Sequence, residues 1–113
     1  MHEIAIAEDL ARIVLDTARE GGLSEVSAIN VSFGQMVAIV PDIFRFAFGE
    51  AVRETIAGNA KVNIEILPVK LKCMNCGEVA GLEENYFTCG NCGSNELEIL
   101  QGKEMFIKSI EGE

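Results

Sequence analysis

Four cysteines form two CxxC units that are separated by 12 residues. A CxxC turn points both of its sulfurs at one centre, and a glycine directly after each unit lets the backbone amides face the thiolates. Two such units complete a tetrahedral set of four thiolates, for which Zn²⁺ is the default occupant. The spacing therefore predicts a zinc site formed by Cys73, Cys76, Cys89 and Cys92.

Four protein thiolates leave no open coordination position on the metal, so this site is expected to stabilise the fold without performing chemistry. Two other states of the cysteines remain open. Cys₄ sites also hold iron, alone or in a cluster. Disulfides are the other state, but no secretory signal precedes the first helix, which predicts a cytoplasmic location where thiols stay reduced.

The only histidine of the chain is His2. The α-amine of Met1, the backbone nitrogen of His2 and its imidazole Nδ1 can enclose one metal ion. Glu3 can reach the fourth corner through its backbone nitrogen or its carboxylate. This planar, nitrogen-rich arrangement suits Ni²⁺ or Cu²⁺ better than Zn²⁺. On chemistry alone, His2 would not carry a functional role, since a histidine at this position is usually an exposed residue at a chain end, and Glu3 is equally a carboxylate that favours the dipole of a helix start.

The composition excludes several classes of function. The 113 residues carry a formal charge of −9 and a sequence pI near 4.5, which disfavours binding to nucleic acid and to anionic membranes. No apolar run approaches the roughly 20 residues that a membrane span needs. No paired acid and base, activated nucleophile or phosphate-binding glycine loop is evident, so we expect a protein that is not an enzyme and whose charged partners are basic.

An amphipathic helix is predicted over residues 4–20, ending at the two glycines that follow. On its polar face, Arg12 is expected to pair with Glu8 and Asp16, four residues away on either side. Its apolar stripe consists of Ile6, Leu10, Ile13, Val14 and Thr17.

A second helix is predicted to begin at Pro41, with Asp42 beside the positive end of its dipole, and to end at Gly58. Three phenylalanines lie within residues 44–48, so this helix is expected to supply much of the core. Its apolar face consists of Phe44, Phe48, Ala51, Val52 and Thr55.

Alternating side chains predict strands over 28–33, 61–68 and 105–110, and a short strand over 36–40. The pattern of 61–68 continues to Cys73, and the last strand can return to the first sheet. This order predicts an α+β fold, in which a small sheet with two helices carries an inserted Cys₄ zinc-ribbon-like domain. We expect residues 1–68 with 97–113 to form one domain and residues 69–96 the other.

Several segments match one known family when they are taken together with the cysteine spacing. They are Met1-His2-Glu3, Gly34, Val40-Pro41-Asp42, Phe46-Ala47-Phe48, residues 62–68, Gly102-Lys103-Glu104 and Ser109-Ile110-Glu111. In these features the sequence resembles the HypA/HybF family of nickel metallochaperones for hydrogenase maturation, over essentially the whole chain. Gly90 departs from the family, which usually has proline there, and no histidine neighbours either CxxC unit.

The resemblance implies a nickel-binding α/β domain joined to a structural zinc domain. Met1, His2 and Glu3 match the nickel residues of the family, and Cys73, Cys76, Cys89 and Cys92 match its zinc ligands. It further implies that Ni(II) is cargo, delivered to the [NiFe]-hydrogenase large-subunit precursor together with the GTPase partner HypB.

Two alternatives follow from the cysteines alone. A zinc-ribbon module of nucleic-acid machinery would use the same spacing, but its binding surface would be basic. A rubredoxin-like electron carrier would hold iron in the same four thiolates.

Overall fold

A computed structural model describes residues 2–81 and 88–113 of the chain. Within these residues the elements are α1 (Glu3–Glu20), β1 (Val26–Gly34), a 3-10 helix (Gln35–Val37), α2 (Pro41–Ala51), β2 (Lys61–Leu67), β3 (Lys70–Cys73), β4 (Val79–Gly81), β5 (Leu97–Gln101) and β6 (Met105–Gly112). The strands form two three-stranded sheets, with orders β2-β1-β6 and β4-β3-β5. The expected α+β fold is confirmed. Neither helix of the described residues is long and apolar enough to cross a membrane.

Strand β1 is the centre of the first sheet. It pairs in parallel with β2 and antiparallel with β6, which returns from the far end of the chain as predicted. A parallel pair needs a crossover connection, and α2 supplies it between β1 and β2. The buried side chains Ile29, Val31 and Phe33 alternate along β1 and belong to the core that the helices cover.

An aromatic cluster joins α2 to this sheet. The ring of Phe33 meets that of Phe44 edge to face, with centroids 5.1 Å apart, and Phe48 lies 5.8 Å beyond. All three are almost fully buried, and burial of one such side chain contributes about 1.5–3 kcal/mol. The third phenylalanine of the helix, Phe46, points outward with 72% of its surface exposed.

The buried face of α1 differs from the predicted stripe. Ile13 and Thr17 are exposed, whereas the buried positions are Glu3, Ala7, Leu10, Ala11, Val14 and Ala18. Alanines on this line let α1 lie close to its neighbours, and a pattern weighted towards large apolar side chains does not detect them.

The ion pairs of α1 also differ from the prediction. Arg12 pairs with Asp9 at 2.9 Å and Arg19 with Asp16 at 3.3 Å, both three residues apart. Glu8 therefore lacks the arginine that the sequence assigned to it, and no basic residue of the described ranges pairs with it.

Two predictions of secondary structure are wrong. Residues 36–40 do not form a strand, because Met36 N–H donates to Gly102 O and because Ala38 adopts a left-handed backbone conformation. Helix α2 ends at Ala51 rather than at Gly58. Beyond it, the Thr55 hydroxyl donates to the Val52 carbonyl and accepts from the Ala57 amide, which offers the backbone an alternative to the helix.

The strand predicted to run from residue 61 to Cys73 is divided into β2 and β3. Pro68 and Val69 separate them, and β3 begins the second sheet. Strand β5 pairs antiparallel with β3, so residues 97–101 lie in the second sheet, although the sequence grouped 97–113 with the first.

The chain leaves the first sheet after β2 and returns to it before β6 at one junction. Gly34 at the end of β1 lies against the backbone of Gly102, which has φ +124°. The Gln35 side-chain oxygen accepts the Val69 N–H at 2.9 Å, and Gly34 N–H donates to Glu104 O at 2.7 Å. These contacts tie both connecting segments to β1.

We expect Gly34→Ala to lower the free energy of unfolding by about 2 kcal/mol or more, because its Cβ would overlap the carbonyl group of Gly102. Gly49→Ala is the control, since a Cβ there meets nothing within 4 Å and favours the helix by up to about 1 kcal/mol. Urea unfolding followed by circular dichroism measures both. A Gly34→Ala protein as stable as wild type would contradict the close approach.

Candidate metal centres

Each CxxC unit forms a tight turn with the same internal bonds. Gly77 N–H donates to Cys73 O, and Gly93 N–H donates to Cys89 O, both at 2.9 Å. Both glycines have positive φ, +81° and +78°, a conformation that other residues rarely adopt. The first unit begins at Cys73, the last residue of β3, and the second unit precedes β5. The pairing of these two strands therefore brings the two turns together.

The two turns place four sulfurs around one point. Cys73 Sγ lies 3.6 Å from Cys92 Sγ, Cys76 Sγ lies 3.6 Å from Cys89 Sγ, and all four lie within 4.8 Å of one another. A tetrahedron with Zn–S bonds of about 2.3 Å has S···S edges of about 3.8 Å. A disulfide needs about 2.05 Å, and all four cysteines are free. The donor set therefore fits one tetrahedral metal ion.

Backbone amides of the turns favour the thiolate forms. The amide of Cys76, 3.4 Å from Cys73 Sγ, is the main cause that lowers the pKa of Cys73 to about 6. The pKa of Cys89 is raised, because burial and the thiols of Cys76 and Cys92 outweigh the amides of Cys92 and Asn91. Cys73 and Cys89, both buried, thus have pKa values shifted in opposite directions.

Two asparagines bridge the CxxC units. Asn75 Nδ2 donates to Cys92 Sγ, and Asn91 Nδ2 donates to Cys76 Sγ, each at 3.5 Å. These bonds reach the two exposed sulfurs, while Cys73 and Cys89 are buried. The Asn91 bond is the main cause that lowers the pKa of Cys76. Sequence reasoning missed both residues, although an asparagine directly before the second cysteine of both units was a visible signal.

Neither His2 nor Glu3 belongs to the cysteine cluster. Met1 lies outside the described residues. His2 is exposed and caps α1, and its carbonyl accepts the Ile6 N–H at 2.9 Å. In the described ranges, the four cysteines are the only group of three or more potential metal-binding side chains, so His2 and Glu3 have no third such side chain beside them.

Glu3 is held inside the fold rather than presented to solvent. It is 5% exposed, and its Oε2 accepts the Val40 N–H at 3.0 Å. This bond is the largest cause that lowers the pKa of the Glu3 carboxyl from its usual 4.5, and a hydrogen bond from the Glu3 backbone amide is the second. The contact ties the first turn of α1 to the residue that precedes α2.

The whole chain has relatives among known proteins. The family model described as "Hydrogenase/urease nickel incorporation, metallochaperone, hypA" matches residues 1–112. A hydrogenase maturation factor HypA from Aquifex aeolicus is 36% identical over 98% of this chain and 96% of its own length. The HypA of Moorella thermoacetica is 31% identical over the full length of both chains. The solution structure of the Ni metallochaperone HypA from Helicobacter pylori aligns with a TM-score of 0.71 and 26% identity, over 99% of this chain and 97% of that one.

We expect Asn75→Ala to weaken binding of Zn²⁺ by about 10- to 100-fold, because it removes a donor to an exposed thiolate ligand. Asn91→Ala should act alike. Asn95→Ala in the same module is the control, since its side chain forms no hydrogen bond within the described residues. Competition of the Zn²⁺-loaded proteins with a chromogenic chelator measures the affinities. Equal affinities in Asn75→Ala and Asn95→Ala would refute the role of the bridge.

The contribution of Glu3 to stability should depend on pH. Its pKa is lowered in the folded state, so the ionised carboxylate stabilises the protein above the unfolded-state pKa near 4.5, and this contribution is lost as pH falls through the folded pKa. The difference in unfolding free energy between wild type and Glu3→Gln should therefore be largest near neutral pH and shrink below pH 4.5. Urea unfolding across this range measures it. Glu20→Gln, on the exposed end of α1, is the control that removes one negative charge without removing the bond to the Val40 N–H.

Proposed function

The chain belongs to the HypA family of nickel metallochaperones for hydrogenase maturation, and we propose that it carries Ni(II) at its amino terminus. The observation that carries the proposal is the match of the family model from residue 1, across Met1, His2 and Glu3. Membership in a family of metallochaperones favours this function over a nucleic-acid module or an electron carrier, and the protein is not an enzyme.

The cysteine cluster is proposed to hold Zn(II) permanently. Four sulfurs complete the coordination of one tetrahedral ion, so no position is left for the exchange that delivery requires. When bound, zinc would supply structural energy by joining the two CxxC turns, with Cys73, Cys76, Cys89 and Cys92 as ligands. Cargo and scaffold are then separate sites.

The cargo site is proposed to use the main chain at the amino terminus. The α-amine of Met1, the backbone nitrogen of His2 and its imidazole Nδ1 provide three nitrogens in a plane, a geometry that Ni²⁺ accepts. The lack of a third metal-binding side chain beside His2 and Glu3 in the described ranges supports main-chain ligands. Glu3 is proposed to supply the fourth ligand, through its backbone nitrogen or through its carboxylate, which also accepts the Val40 N–H.

Delivery requires that a partner reach the metal. His2 is exposed at the start of α1, which supports an exchangeable site. The proposed partners are the [NiFe]-hydrogenase large-subunit precursor and a HypB-like GTPase, in the cytoplasm. With a formal charge of −9, the chain favours a basic surface on either partner.

The division into a nickel-binding and a zinc-binding domain is part of this proposal. The pairing of β5 with β3 favours moving the second boundary from residue 96 to residue 101. The zinc-binding domain would then span 69–101, and residues 1–68 with 102–113 would form the nickel-binding domain.

We expect an uncleaved extension ahead of Met1 to lower the nickel affinity steeply. The extension converts the terminal amine into an amide, whose nitrogen must lose a proton before it can bind a metal. The side chains of His2 and Glu3 are unchanged, so titration of the tagged protein, and of the same protein after cleavage back to Met1, isolates the effect of the amine. Equal affinity before and after cleavage would exclude the amine as a ligand.

His2→Ala on the untagged chain is the companion variant. It should remove nickel binding and leave zinc content and thermal midpoint nearly unchanged, because an exposed terminal side chain stabilises the fold little. If it lost zinc as well, the separation into cargo and scaffold sites would fail.

A further inference from the structure

Three large apolar side chains lie exposed beside the amino terminus. The exposed fractions are 65% for Ile4, 50% for Ile43 and 72% for Phe46. Scattered exposed apolar residues are ordinary, but a contiguous patch marks a site of interaction. These three line one groove of about 330 Å³ between α1 and α2, together with Glu8, Ala47, Glu50 and Ala51.

The groove results from a second apolar stripe on α2. Phe44 and Phe48 of this helix are buried, whereas positions 43, 46, 47 and 50 follow the helical repeat on a different side. Ile4 and Glu8, one turn apart on α1, form the opposite wall. No described element packs over these residues, so the apolar stripe is left without a partner in this part of the chain.

Both walls of the groove carry negative charge. Glu8 has no basic partner in the described residues, because Arg12 pairs with Asp9. The nearest basic group to Glu50 in its ion pair is Arg53, at the long distance of 4.0 Å, and both side chains of this pair are exposed to solvent. An occupant that complements the groove therefore brings an apolar side chain between positively charged ones.

The groove lies next to the proposed cargo site. Ile4 directly follows Glu3, and Val40, whose N–H binds Glu3 Oε2, lies three residues before Ile43. A protein bound in the groove is thereby held beside His2, where the metal has to be transferred.

We propose that this groove docks a protein partner through an apolar side chain flanked by lysine or arginine, and so holds the partner against the amino-terminal site. The inference rests on the proposed function, since it takes the partner to be the protein that exchanges nickel with this chain. A second copy of this chain is a poor occupant, because the acidic walls of the groove would face another negatively charged protein, and two chains of net charge −9 repel each other.

The test is the affinity of the untagged, zinc-loaded chain for the purified HypB-like GTPase, measured by calorimetry. Phe46→Ser should weaken binding about tenfold or more, as for a central apolar contact. Phe106→Ser on β6 is the matched control, a phenylalanine that is 44% exposed outside the groove, and should change affinity less than twofold. Zinc content, thermal midpoint and nickel affinity should match wild type in both variants.

Charge reversal gives a second, kinetic readout. Glu8→Lys should slow association with the GTPase more than it speeds dissociation, since the charge steers the encounter. Glu20→Lys at the far end of α1 changes the net charge equally and should have a smaller effect.

The outcomes separate the groove from the function on which it rests. Equal weakening by Phe46→Ser and Phe106→Ser, or none by either, overturns the groove while the partner stands. Wild-type protein that does not bind the GTPase removes the partner on which the inference rests, and the groove proposal falls with it. Sedimentation showing that Phe46→Ser abolishes a dimer would make the groove a self-association surface and also overturn the inference. Nickel titration reports on the cargo site independently of all three.

Discussion

The contact between the backbones of Gly34 and Gly102 determines how the rest of the molecule is arranged. Strand β1 is shared, since it pairs with β2 on one side and with β6 on the other. The whole second sheet lies between β2 and β6 in sequence, so the chain must leave and re-enter beside one strand. The absence of a Cβ at Gly34 permits its close approach to the carbonyl group of Gly102, and a Cβ at Gly102 would meet Val69 on the outgoing segment instead. Gln35 then satisfies the Val69 amide on the outgoing segment.

The sequence was informative where a pattern reports directly on burial or on ligand type. Alternation located β1, β2 and β6, the phenylalanines located the core of α2, and the cysteine spacing located the four sulfurs that meet. It was less informative where long-range hydrogen bonds decide local structure. Residues 36–40 form no strand because the amides of Met36 and Val40 donate to Gly102 and Glu3, and neither partner is close in sequence.

Small residues and sheet membership account for other differences. Ala7, Ala11 and Ala18 define the buried face of α1, yet they contribute little to a hydropathy pattern, which gave weight to Ile13 instead. The sequence grouped residues 97–113 with the first sheet and so did not identify β3 as the partner of β5, since strand pairing depends on the path of the chain between the strands. For His2 and Glu3, chemistry alone left their role open, and the family resemblance supplied the nickel assignment.

The asparagine bridges give the cysteine cluster a property that neither CxxC unit has alone. Each unit supplies a donor to the exposed sulfur of the other, Asn75 to Cys92 and Asn91 to Cys76. If the units separate, both exposed sulfurs lose their donors in the same event, together with the ligands from the opposite turn. The two halves therefore depend on each other reciprocally, and opening of the cluster is cooperative, with no half-open form that keeps one unit fully satisfied.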